Sequence, residues 1–287
     1  MNETENSYHP PADQLLALGK PEGTQDYLAL GIGADQVPEL VRMVTDEALN
    51  NGPGDSLLVW APVHAWRALA QLRAEAAIQP LLSQLRRIDE SDDDWVNEDV
   101  PRALGKIGPA AIAPVADYLA NAAHGTWARV AAVISLQRIA ETYPESRAEC
   151  VARLIAQLER FEENSDSLNA FLVWALVDLK AVEAAPLIEK AFAAAQVDET
   201  VGGDWEDAQI ELGLKSAREH PRKPNQLPEW GDQFRAALQK ITAPVQGSLG
   251  TPSPYPDLKA LNKARKQARS RDKKAKKAKL LQRQRRH

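Results

Sequence analysis

A unit of roughly 35 residues recurs along this chain in two registers. The first register is a proline early in an apolar helix: Val37-Pro38, Ile78-Gln79-Pro80, Ile112-Ala113-Pro114 and Ala185-Pro186. The second is a tryptophan nine residues ahead of a core leucine: Trp60 and Leu69, Trp95 and Leu104, Trp127 and Leu136, Trp205 and Leu214. A period of this length means stacked helix pairs, because one pair alone cannot bury its apolar face. The sequence therefore predicts an all-α fold, an α-solenoid of about five antiparallel helix pairs.

Apolar spacing places the helices. First helices are expected near 35–49, 76–88, 109–121, 146–161 and 182–195, and second helices near 58–72, 95–107, 127–141, 168–179 and 205–218. Ile78, Leu81, Leu82 and Leu85 share one helical face, as do Val151, Leu154, Ile155 and Leu158. No alternating β-branched run bounded by a hairpin turn occurs. Gly108-Pro109 reads as a helix stop followed by a start, and Asp204 as an N-cap before Trp205. The layout that follows is a loose lead-in at 1–24, repeats at 25–218, a cap-helix region at 219–243, a Pro/Gly linker at 244–256 and a Lys/Arg-rich tail at 257–287.

Charge is distributed unevenly. The 287-residue chain carries a formal net charge of −5. Residues 259–287 hold 14 Lys and Arg against one acid, Asp272, leaving −18 on the rest. An acidic body with a basic tail suggests an interaction tail. Lys273, Lys274, Lys276, Lys277, Arg283, Arg285 and Arg286 could hold phosphates of RNA or DNA without reading sequence, since no aromatic follows Tyr255 to stack on a base. Folding back on the acidic body is the other use of such a tail, and plain solubility a third. The single cysteine, Cys150, lies in a helical apolar pattern and rules out an internal disulfide. No segment is long and apolar enough to span a bilayer, and residues 1–14 lack a signal-peptide core. The expectation is a cytoplasmic protein with no membrane partner.

Three stretches carry a family resemblance: Asp99-Val100-Pro101-Arg102-Ala103-Leu104-Gly105-Lys106-Ile107-Gly108-Pro109-Ala110-Ala111-Ile112, Val130 to Leu136, and Asp178 to Leu187. The Ala-Leu-x-x-Ile-Gly-x-x-Ala core resembles bacterial HEAT-like repeats of the phycobilisome-lyase type. The resemblance covers roughly residues 30–218. Trp60-Ala61-Pro62-Val63-His64-Ala65-Trp66 and Gly203-Asp204-Trp205-Glu206-Asp207 look like phrases of one bacterial group of such proteins. Some members of that group end in a Cys-rich SEC-C zinc motif. This chain has no cysteine there, so no zinc role carries over. The resemblance also implies that the second helix of each pair lines the concave face.

Aromatic rings and acids coincide on those second helices. Trp60, Trp95, Trp127 and Trp205 stand near the helix starts, with His64 and Asp99 one turn on. Glu98 and Asp99 neighbour Trp95, and Glu206 and Asp207 neighbour Trp205. Ring faces attract a cation and carboxylates pair with it, and Trp is enriched at binding hot spots. Packing between repeats is the alternative use of each ring, and Ser167 breaks the pattern in the fourth repeat. His64, beside Trp60 and Trp66, is either a pocket residue or a packed one. No His-x-x-x-His pair, phosphate loop or nucleophile elbow is present, and the acidic run 89–99 lacks the central glycine of a calcium loop.

The expected function is a non-catalytic scaffold, with no cofactor and no metal, whose acidic, Trp-lined face binds a basic protein segment, the chain's own tail included. Nucleic-acid binding through the tail is the alternative, and a lyase- or glycosylase-type enzyme ranks behind both.

Overall fold

The computed structural model describes residues 8–221, and every described regular element is helical. The tail, the linker and all but the first residues of the expected cap region lie outside these residues. First helices are α1 (Val37–Thr45), α4 (Ile78–Gln84), α7 (Ile112–Ala120), α9 (Arg147–Leu158) and α11 (Ala185–Ala193). Second helices are α3 (Ala61–Gln71), α6 (Asp94–Ile107), α8 (Thr126–Thr142), α10 (Asp166–Asp178) and α13 (Trp205–Glu211). Three short helices fill connections: α2 (Glu47–Asn50), α5 (Arg87–Ser91) and α12 (Glu199–Gly202).

The helices stack in two layers. Second helices pack in the order α3, α6, α8 and α10, and first helices in the order α1, α4, α7, α9 and α11. This is the expected α-solenoid. Each first helix is entered through a single 3₁₀ turn, as at Pro109–Ala111 and Pro144–Ser146. Those turns account for the proline register: Pro38, Pro80, Pro114 and Pro186 fall within the first three positions of the α-helix, where a missing N–H costs nothing. Pro101 instead sits inside α6, which continues past it.

The helix boundaries differ from expectation where polar side chains intervene. The first pair's long helix breaks at Asp46, whose carboxylate accepts the Ala48 and Leu49 N–H groups and so starts α2. Helix α8 begins after Gly125, which has no side chain to cap it. Asp89 of α5 does so instead, accepting from the backbone of Trp127 at 3.2 Å and Ala128 at 2.8 Å. A Cβ on Gly125 would run into that carboxyl group. The last helix ends at Glu211, well short of 218, and the chain turns back through Gly213 (φ 75°).

From Tyr8 on, the lead-in is not loose. Residues Ala12–Ala17 form a 3₁₀ helix, and Ala12, Leu15 and Tyr27 are fully buried. The Tyr8 hydroxyl donates to Asp46 Oδ2 at 2.7 Å. The physical reason is the open end of the stack: the first pair has no preceding repeat, and this segment covers its apolar face as a cap. The prolines at 10, 11 and 21 and the polar run from Gly19 to Asp26 hide those few anchors. Replacing Leu15 with Ala removes a side chain of zero exposure. It should cost about 2–5 kcal/mol, read as a lowered urea midpoint.

Candidate functional site

Helical periodicity brings one face of the second-helix layer into register. On α6 this line runs Trp95, Glu98, Asp99, Arg102 and Lys106. On α3 it runs His64, Arg67 and Gln71, continuing from Trp60 at the end of the preceding 3₁₀ turn. Arg67 and Arg102 each follow a tryptophan by seven residues, which is two turns along the same face.

The rings pack on one another. Trp60 and Trp95, both half-buried, meet edge to face at 5.2 Å between centroids. Trp127 is buried, 6% exposed, and stands edge to face with Phe171 at 6.1 Å. Trp205 tilts against Phe192 at 6.3 Å. Phe171 lies one turn beyond the buried Ser167, so the fourth repeat supplies its ring from a different position. The Trp register is thus largely an inter-repeat contact, with Trp60, Trp95 and Trp205 keeping an exposed part.

The acids are already engaged by cations of this chain. Asp99, 5% exposed, lies between two guanidiniums. Arg67 donates to its Oδ2 from Nε at 2.9 Å and pairs through Nη2 at 2.8 Å, while Arg102 Nη1 donates to Oδ1 at 3.1 Å. Arg102 Nη2 also reaches Glu98 at 2.6 Å. At the other end Lys215 pairs with Glu206 at 2.6 Å, and Arg218 with Asp204 at 2.8 Å and Asp207 at 2.7 Å. The expected N-cap holds there: Asp204 Oδ1 accepts the Asp207 N–H at 3.1 Å. Burial works against ionisation of Asp204, but Arg218 and that N–H overcome it and hold the carboxyl at about 2. The Lys215 ammonium does the same for Glu206, also about 2. Glu206, Glu219 and His220 bring ligand atoms within 4.8 Å of one another, yet Lys215 stands among them, 2.6 Å from Glu206 and 3.2 Å from Glu219.

The carboxylates expected to meet a partner's cation are paired within the chain. A pattern of Trp and acids along one helix does not reveal which cation a neighbouring helix delivers. Arg67 comes from α3 to Asp99 on α6, 32 positions away.

His64 is packed. The ring is 3% exposed, its Nδ1 lies 2.8 Å from the Tyr27 hydroxyl and its Nε2 2.8 Å from the Gly19 carbonyl. Both nitrogens tie the N-terminal segment to α3. Cys150 is fully buried, and burial pushes its thiol up to about 11, which makes it unreactive. The tail cations from Lys273 to Arg286 lie outside the described residues.

The same face carries cations that the tryptophan pattern does not single out. Lys106 and Arg138 join Arg67 and Arg102. Gly105 allows this, since a Cβ there would sit 2.8 Å from the Arg138 Cβ, so α6 and α8 approach closely. Further along, Glu141 lies open to solvent yet hemmed in by protein, and that burial pushes its carboxyl up to about 7 despite the hydrogen bond from Gln137. No described helix is long and apolar enough to cross a membrane.

A family described as a protein of unknown function (DUF1186) matches residues 37–221. The chain belongs to that family. No curated protein and no solved structure matches it. The DUF1186 match begins at α1, at the start of the first repeat pair, and ends with the loop that carries Arg218 back to Asp204.

Two outcomes test this site. Asp99→Asn leaves Arg67 and Arg102 facing each other without their shared carboxylate, and should cost about 3–5 kcal/mol in urea unfolding. Burial also holds the His64 imidazole below its ordinary value, so the unfolded chain takes up that proton more readily. Stability should therefore fall as the pH drops below about 6.5, the unfolded value. In His64→Gln that part of the acid-side decline should be gone when urea midpoints are compared at matched pH.

Proposed function

We propose that this chain is a non-catalytic interaction scaffold of HEAT-like repeats, working in the cytoplasm and receiving a segment of a partner protein along its second-helix face. The observation that carries this is the half-exposed Trp60–Trp95 pair, flanked by cations at Lys20, 5.9 Å from the Trp60 centroid, and Arg67, 5.8 Å from that of Trp95. Two rings held by their own contact and rimmed by fixed charges form a rigid anchor, and Trp and Arg are the residue types that dominate binding hot spots. Rigid aromatic surface gives contact area at small entropic cost. The non-catalytic assignment rests on His64 and Cys150, whose reactive atoms are taken up by hydrogen bonding and burial.

The charge of the partner segment follows from the pairing on this face. A purely basic segment would have to displace Arg67 and Arg102 from Asp99, whereas a segment with apolar side chains for the rings leaves those pairs intact. A second role belongs to the tail, whose 14 Lys and Arg between 259 and 287 favour phosphate contacts.

The test is chemical cross-linking of the full chain in lysate with and without nuclease, with mass-spectrometric mapping, beside Trp60→Ser checked for folding by circular dichroism. A protein cross-linked to the second-helix face and reduced at least tenfold by Trp60→Ser is the expected result. Capture that is unchanged by the substitution, or lost on nuclease treatment, would contradict the scaffold and favour the tail.

A further inference from the structure

A cleft opens between α3, α6 and the Gly23–Gln25 turn, lined by Arg67, Gln71, Asp99, Arg102 and Lys106 and backed by Tyr27. The turn is tied in place. Arg67 Nη1 donates to the Gly23 carbonyl at 3.3 Å, Gln71 Nε2 to the Gln25 carbonyl at 2.6 Å, and the Tyr27 N–H to Gln71 Oε1 at 3.0 Å. The walls are therefore set before any ligand arrives.

Three cations line this cleft, and Arg138 lies close enough to Arg102 that each feels the other's charge. Two carboxylates, Glu98 and Asp99, answer the three cleft cations, both through the arginines, while Glu141 answers Arg138. Lys106 forms no ion pair among the described residues. Its side chain is exposed at the cleft mouth, and partial loss of hydration, then the charges of Arg102 and Arg67, lower its pKa. The backbone fixes the end of α6 that carries it, since the Tyr143 hydroxyl donates to the Lys106 carbonyl at 2.8 Å. Positive charge exceeds negative by one along this cleft, on a rigid frame.

We infer that the Arg67–Arg102–Lys106 cleft is an oxyanion site for a compact dianion of the phosphate-monoester class. The Lys106 ammonium supplies the uncommitted charge, and the arginines, oriented by Asp99, add N–H donors at the wall. Two guanidiniums and an ammonium offer N–H donors from three side chains, which can meet the several oxygens of a phosphoryl group, whereas a carboxylate brings only two. The site stands on the cleft itself and holds whether or not a protein segment lies along the same face.

The experiment is isothermal titration of the full chain with inorganic phosphate, with a phosphoserine tripeptide and with acetate, at constant ionic strength. Lys106→Gln is the test variant, and Lys190→Gln, on the exposed side of α11, is the control. Phosphate or the tripeptide should saturate one site, acetate should not, and Lys106→Gln should weaken binding about tenfold, as expected for one charge-assisted contact. Tighter binding of the tripeptide than of phosphate would assign the phosphoryl group to a polypeptide, and the reverse order to a small molecule. Absence of saturable binding, equal binding of acetate, or isotherms for Lys106→Gln that match those of Lys190→Gln would overturn the inference.

Discussion

The fold rests on one constraint: no helix pair in this chain can bury its own apolar face. Leu104 of α6 and Leu136 of α8 are fully buried only because the next second helix lies over the last. Every repeat therefore depends on a neighbour, and the first has none on its outer side. The segment from Tyr8 to Ile32 meets that need with a handful of buried side chains and with hydrogen bonds to His64 and Gln71. Stability in such an array is a sum of neighbouring interfaces, so the terminal cap is as much a part of the fold as any repeat.

The same stacking decides the electrostatics of the second-helix face. Helices brought side by side deliver charges from distant positions, and Arg67 reaches Asp99 in that way. A carboxylate that is 5% exposed requires partners, and two guanidiniums provide them. Once Asp99 is committed, the balance on this part of the face turns positive even though the body of the chain is acidic. Composition gives the sign of the whole, whereas helix register gives the sign of a cleft.

Much of the architecture was legible in the sequence. Prolines at helix starts and leucines at fixed distance from tryptophans follow from local backbone chemistry and helical period. The prolines hold throughout, and the leucines hold as core at Leu69, Leu104 and Leu136 but fail at Leu214, which is 47% exposed because α13 ends at Glu211. The Asp204 cap is local in the same sense. What was not legible depends on separation along the chain. Asp89 capping α8, the rings of Trp60 and Trp95 meeting, and Arg67 pairing with Asp99 each join residues more than 30 positions apart. The lead-in was misjudged because burial there is carried by a few anchors set among polar residues. The cationic line, by contrast, left a signal: Arg67 and Arg102 repeat at the same distance after their tryptophans.

The central claim is that the acids of this face are held by the chain's own cations. A double-mutant cycle on Arg67 and Asp99 measures it most directly, using urea unfolding of the parent, Arg67→Gln, Asp99→Asn and the double variant. A coupling of about 1–3 kcal/mol is the predicted result for a buried bidentate pair. A coupling indistinguishable from zero would mean that Asp99 is free to meet an external cation, and would contradict the account.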